Sequence, residues 1–276
     1  MTEAYTGKKS KDMQAAASHL TRLWPSFGKA LRAFLVAIFG GIFFLALPAR
    51  HAISADEPRV IFADDFEAHG EGETLGNVKP KVGGAYVDTG STTIVAIESL
   101  AGVESPATAG KLCARCNKNS AWCQLSDADV VAVKNQIVRF RFDILLTDKG
   151  FGGADIQTFM GSDPESSRAF NLLLDTNGSI AYYAAGESRS ITGKVPVGQW
   201  ASVDLIADYK KRIFKAKIGD VSFVGRFDKK SFDFSTFYMG EFGDPIYYFD
   251  NLLVELAPQL AKELDGVAAQ IELTDA

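Results

Sequence analysis

Past its first 55 residues, the 276-residue chain predicts an all-β protein, an antiparallel jelly-roll β-sandwich. Three observations carry that expectation. The first is alternation: in 138–146, Val138, Phe140, Phe142, Ile144 and Leu146 share one face, while Arg139, Arg141 and Asp143 take the other. That is a strand with one side buried and one in water, as in antiparallel sheets. The second is punctuation. Asp175-Thr-Asn177-Gly178 and Gly219-Asp220 are tight-turn signals between apolar runs, and Gly83-Gly84, Gly150–Gly153 and Val195-Pro-Val-Gly198 mark further loops. The third is composition. With 47% hydrophobic and 23% charged residues, 25 Gly and 20 Phe, disordered, collagen-like and coiled-coil classes are excluded and strands and turns are favoured.

The elements follow in order. Residues 1–55 form a segment of their own. Lys8, Lys9, Lys11, Arg22, Lys29, Arg32 and Arg50 stand there against only Glu3 and Asp12, a net of +5 that leaves −10 for 56–276 out of the chain's −5. This basic stretch leads into fifteen apolar residues, 33–47. A basic region followed by a short apolar run is the pattern of an export signal. A permanent membrane span usually needs about 17–25 residues, so a cleaved signal is favoured over an uncleaved anchor. Small residues at Ala52-Ile-Ser-Ala55 allow a cut after Ser54, with Ala52 three places back. Both readings export 56–276, to the periplasm, the exterior or the outer face of a membrane, and the only membrane contact expected is through an uncleaved leader. The acidic remainder argues against a nucleic-acid partner, which would need a clustered basic surface.

Residues 56–258 read as one sandwich. Besides 138–146, strands are predicted at 92–97, 155–160, 170–174, 179–184, 201–207, 212–218, 221–226, 236–240 and 247–256. After Pro258 the period changes. Leu260, Leu264, Val267 and Ile271 recur at helical spacing, so 259–276 carries a short amphipathic helix that packs on the sandwich or docks a protein partner.

Three segments carry a resemblance. Phe62-Ala-Asp-Asp65-Phe66-Glu67 lies just ahead of Gly70 and Gly72. Gly198-Gln-Trp200 runs into the alternating Ala201–Leu205, and Tyr248-Phe-Asp250-Asn251-Leu-Leu-Val254 closes the strand region. In order and separation they resemble the concanavalin A-like, laminin-G-like jelly-roll superfamily of lectins, glucanases and carbohydrate-binding modules, over residues 61–255. The resemblance implies glycan as the partner. It also implies a structural calcium where first and last strands meet, with Asp65, Glu67 and Asp250 as the matching oxygen donors. Calcium takes six to eight oxygens, so carboxylates from two strands with nearby carbonyls suit it chemically.

Catalytic signals are sparse. The superfamily's glucanase motif, Glu-x-Asp-x-x-Glu, would put acid and nucleophile on one strand face. The one Glu-x-Asp here is Glu263-Leu-Asp265 in the C-terminal tail, with Ala268 at the third position. After residue 55 the one histidine is His69, in a loop beside Glu67 and Glu71, and any Ser-His-Asp or Cys-His apparatus would have to use it. Arg139 and Arg141 with a tyrosine could serve a lyase, but a solvated strand face is the plainer reading. The three cysteines, Cys113, Cys116 and Cys123, sit within eleven residues without a nearby His, a poor zinc set. In an exported chain, a Cys113–Cys123 or Cys116–Cys123 disulfide is expected instead.

Sugars stack their apolar CH faces on aromatic rings. Trp122, Tyr182 and Tyr248 are the candidates, since one member of each adjacent pair Tyr182-Tyr183 and Tyr247-Tyr248 must face outward on its strand. Trp200 reads as core. The function expected is therefore an exported, non-catalytic carbohydrate-binding or adhesion-type module. A polysaccharide lyase or glycoside hydrolase with a non-standard site is the alternative, and a cell-envelope protein-interaction module the second.

Overall fold

The computed structural model describes residues 57–274 apart from 88–89, 91, 101–109, 118–120, 162–163 and 230. The expected export segment and cleavage site lie outside the described residues. Among the described residues no helix is long and apolar enough to cross a membrane.

Among the described residues, fifteen strands build two antiparallel sheets. They are β1 Arg59–Asp64, β2 Ala85–Val87, β3 Thr93–Ala96, β4 Leu112–Asn117, β5 Ala121–Gln124, β6 Ile137–Leu146, β7 Gly152–Phe159, β8 Asn171–Asp175, β9 Ser179–Ala184 and β10 Glu187–Lys194, followed by β11 Trp200–Asp208, β12 Ile213–Ile218, β13 Val221–Arg226, β14 Thr236–Gly243 and β15 Ile246–Leu256. One sheet has eight strands, β13-β12-β11-β6-β15-β4-β3, with β1 also pairing β15; the other has seven, β10-β9-β8-β7-β14-β5-β2. The two-layer sandwich expected from alternation and turns is what forms.

The register explains the alternation. Val138, Phe140, Phe142 and Ile144 of β6 all turn inward, and their neighbours on β11 and β15, Leu205, Val203, Val254 and Phe249, point the same way. Between the sheets they meet Phe170, Phe234 and Phe237. Phe140 lies 5.0–5.6 Å, ring centre to ring centre, from all three, an aromatic nucleus that carries stabilisation beyond its buried area. At the turn read from Asp175-Thr-Asn-Gly178, Gly178 adopts φ +81°, and a Cβ there would strike the Val195 carbonyl, so glycine is required.

Three short helices complete the fold: α1 Asp127–Val133, α2 Pro164–Ser167 and α3 Val267–Thr274. Ser126 caps α1 by accepting the Asp129 N–H. The C-terminal stretch is not one helix but a 3-10 segment, Pro258–Leu264, broken at Gly266 before α3. Its apolar side is already used: Leu264, Val267 and Ile271 bury themselves on Ile206 and Ile213 of the eight-stranded sheet. Packing on the sandwich is the role this segment fills.

The disulfide expectation is corrected. Cys113, Cys116 and Cys123 are all buried, reduced thiols. Cys113 and Cys116 sit on β4 at opposite parity, so one faces outward and the other the core. Cys123 faces the core from β5, in the other sheet, so β4 and β5 are not the hairpin that proximity in sequence suggests. Burial pushes the Cys113 and Cys116 thiols up to about 12 and that of Cys123 well above its usual range, keeping all three protonated and poorly nucleophilic.

Candidate functional site

The positions that alternation turns outward differ sharply between the two sheets. On the eight-stranded sheet the charged ones are mostly tied down, while Trp200 Nε1 and Arg115 Nε take no hydrogen-bond partner. Arg139 donates through Nε at 2.8 Å and Nη2 at 2.5 Å to the two oxygens of Asp204 and lies 3.7 Å from Glu255, which Arg141 also approaches at 3.7 Å. These arginines form an ion-pair lattice on a strand face, not a lyase pair. Further along, Asp143 accepts from Ser202 Oγ at 2.6 Å and from Asn251 Nδ2 at 2.9 Å. Trp200 stands outward beside Leu145, not in the core; across β6, Tyr248 is the next outward ring, facing Arg115 on β4.

The seven-stranded sheet carries a different row. In register across β2, β5, β14, β7 and β8 run Val87, Trp122, Tyr238, Gln157 and Asn171. One step beyond the Leu172–Tyr182 pair, Asn171 comes level with Tyr183 of β9, which pairs with Ser188 of β10. At the usual strand spacing of about 4.8 Å, the row from Trp122 to Ser188 spans roughly 24 Å. Trp122 meets Tyr238 edge-on at 5.9 Å and Phe159 at 5.2 Å. Tyr183 lies under the Arg168 guanidinium, 5.4 Å from the ring centre. Arg168 is in turn held by two bonds, 2.9 and 2.7 Å, to the buried Asp228. The middle of the row is polar and dry: Gln157 is 5% exposed and Asn171 2%, and both amides donate to Asp155, at 2.5 and 2.9 Å.

The three sugar-contact candidates from the sequence are not brought together. Trp122 is half-buried in this row. Tyr248 is half-buried on the opposite face of the molecule. Tyr182 corrects its expectation: it turns inward at 7% exposure, stacked on Phe223 at 6.3 Å and edge-on to Phe214, so Tyr183 is the outward member of that pair. Parity on β9 decides this, because Ile180 and Tyr182 pair with the inward Leu174 and Leu172. Only the side of the Tyr182 ring reaches a cleft of about 490 Å³ at the sandwich edge, beside Ser190 and Phe223. Tyr238, Gln157, Asn171 and Tyr183 were not singled out from the sequence. Their alternation was visible; their alignment across five strands was not.

The expected calcium donors Asp65, Glu67 and Asp250 lie about the point where β15 exchanges β4 for β1 as its neighbour, without converging. They do not fit the ion. Asp65 is bonded to Lys81 at 2.6 Å, and Glu67 accepts the N–H groups of Lys111 and Leu112 at 2.6 and 2.8 Å. Asp250 Oδ1 takes the N–H of Asn251 at 2.7 Å, while Oδ2 accepts no hydrogen bond. Among the described residues no three His, Cys, Asp or Glu side chains converge as a metal requires. Burial, together with the charges of Asp143, Glu67 and Asp65, raises the Asp250 carboxyl to about 7. His69 is also structural. Its ring bonds Asp64 at 2.8 Å, and Asp64, 1% exposed, also accepts from the Tyr86 hydroxyl at 2.9 Å and the Phe66 N–H at 3.0 Å.

No protein-family model matches the chain, and no curated protein does. Among solved structures it is similar to the catalytic domain of the glycoside hydrolase family 131 protein from Coprinopsis cinerea, at 14% identity and TM-score 0.47 over 72% of this chain and 95% of that one. It is also similar to the carbohydrate-binding module CBM66 from Bacillus subtilis, at 14% identity and TM-score 0.36 over 55% and 89%. A sialidase matches at 10% identity and TM-score 0.44 over 71% of this chain, which spans 18% of the sialidase.

Proposed function

We propose that this protein is an exported, glycan-binding β-sandwich whose binding surface is the outer face of the seven-stranded sheet. The row Trp122–Tyr238–Gln157–Asn171–Tyr183 carries the reading. Rings at both ends and buried amides between them, aligned across neighbouring strands, match what an extended, amphipathic chain of sugar rings needs: apolar faces to stack on and fixed polar groups to set orientation. Binding is favoured over turnover by how the carboxylates of this face are used. Glycoside hydrolysis needs two carboxyl groups free to exchange a proton or attack. Asp155 has both oxygens occupied by amide donors, and Asp175 holds its own turn through Thr176 and Asn177. The reading is tested by presenting the protein with a glycan array and following soluble products in parallel. Retention without product, lost in Trp122→Ala, supports it; release of shortened sugars sinks it.

A further inference from the structure

The polar centre of this face has a direction, which narrows the ligand. A carboxylate only accepts hydrogen bonds, so the Gln157 and Asn171 amides must turn their NH2 groups toward Asp155. Their carbonyl oxygens are thereby aimed away, and neither Gln157 Oε1 nor Asn171 Oδ1 accepts a hydrogen bond, although both atoms are buried. A buried acceptor without a donor is costly and therefore informative about what completes it. Tyr238 lies beside this centre. A Cβ on Gly240 would overlap the Cζ and Oη of Tyr238, so the phenol rests flat on Gly240, directly opposite Asp155 in the sheet. The backbone beneath is fixed, because the buried Tyr247 hydroxyl donates to the Gly240 carbonyl at 2.7 Å.

We infer that this face recognises a carboxylate-free sugar through the sugar's own hydrogen-bond donors, hydroxyl or ammonium. These are accepted by Gln157 Oε1 and Asn171 Oδ1 once the side chains over these oxygens part to admit the sugar. A uronic or sialic unit would set its carboxylate against Asp155 and two carbonyl oxygens, in a domain that already carries ten net negative charges over residues 56–276. The inference rests on the glycan-binding reading above.

The test uses the full-length protein with three immobilised probes: a neutral hexose hexamer, a glucosamine hexamer and a galacturonate hexamer. The neutral or amino probe should bind at least tenfold more tightly than the galacturonate. Asn171→Leu and Gln157→Met, which keep volume but remove the accepting oxygens, should each weaken that binding at least tenfold. Their melting temperatures should move by no more than a few degrees. Galacturonate binding as tight as the others, and lost in Trp122→Ala, overturns this inference while leaving the glycan-binding reading intact; so does unchanged binding in both amide variants. Binding of none of the probes, with none on the wider array, overturns both. Should a variant fail to fold, the comparison of the three probes on the unmodified protein decides.

Discussion

The two outer faces of this sandwich are made by the same alternation and differ in which outward groups find partners. On the eight-stranded sheet the charged side chains mostly pair within the chain, although Arg115 Nε, Trp200 Nε1 and Asp250 Oδ2 take no hydrogen bond. Arg139 and Arg141 meet Asp204 and Glu255, Asp143 meets Ser202 and Asn251, and Ile206 and Ile213 vanish under the C-terminal helix. On the seven-stranded sheet the outward residues form a row of rings and amides whose accepting oxygens remain unmatched. Charges paired within the chain stabilise the fold, whereas accepting oxygens aligned between aromatic rings are suited to a ligand.

Substitutions on each face should therefore separate stability from binding. The largest effect is expected at Leu264, 1% exposed in the small cluster that seats the C-terminal segment. Leu264→Ala should cost about 2–5 kcal/mol of unfolding free energy, with glycan affinity of the folded protein unchanged. An equal loss of affinity would mean that the two faces are not independent.

Asp250 comes next. Its carboxyl, held near 7 by burial and neighbouring charge, keeps its proton more tightly folded than unfolded. Its stabilising effect is full below the ordinary carboxyl range, near 4, and is lost as the pH rises through 7. Asp250→Asn should therefore raise the unfolding free energy at pH 8 by an amount on the order of 2–4 kcal/mol, and make little difference at pH 4. A stabilisation equal at both pH values would show that Asp250 is not protonated in the folded protein.

Trp122→Ala should lower glycan affinity by about 2 kcal/mol, as for a central aromatic contact, whereas Tyr248→Ala on the opposite face should leave it unchanged. Reversal of that pair in titration calorimetry would move the binding surface to the other sheet. The smallest effect belongs to Arg139→Ala. The Arg139–Asp204 pair is partly exposed, so its loss should cost no more than about 1 kcal/mol, falling as salt is added.

The legibility of the sequence varied along the chain for physical reasons. The long strands β6 and β11 declare themselves, because residues 138–144 and 201–205 alternate without interruption. The strands around Cys113 and Cys123 do not: they are short, and the sequence between them reads as one hairpin although β4 and β5 enter different sheets. The choice between Tyr182 and Tyr183 turned on a single step of register, and one step exchanges inside for outside along a whole strand. That Lys81 and two backbone N–H groups would take oxygens of Asp65 and Glu67 depends on contacts between distant segments that no local pattern announces.

Local pattern alone, then, determined the class of fold, the turns and the identity of most inward residues, because hydrophobic alternation and turn chemistry act over a few neighbouring residues. Which outward residues stand side by side is a property of pairing between strands far apart in the chain. Trp122, Gln157, Asn171 and Tyr238 span 117 positions of sequence and become one row only when β5, β14, β7 and β8 lie adjacent. Sheet order and register, which are settled by long-range pairing and core packing, decided where the candidate surface is.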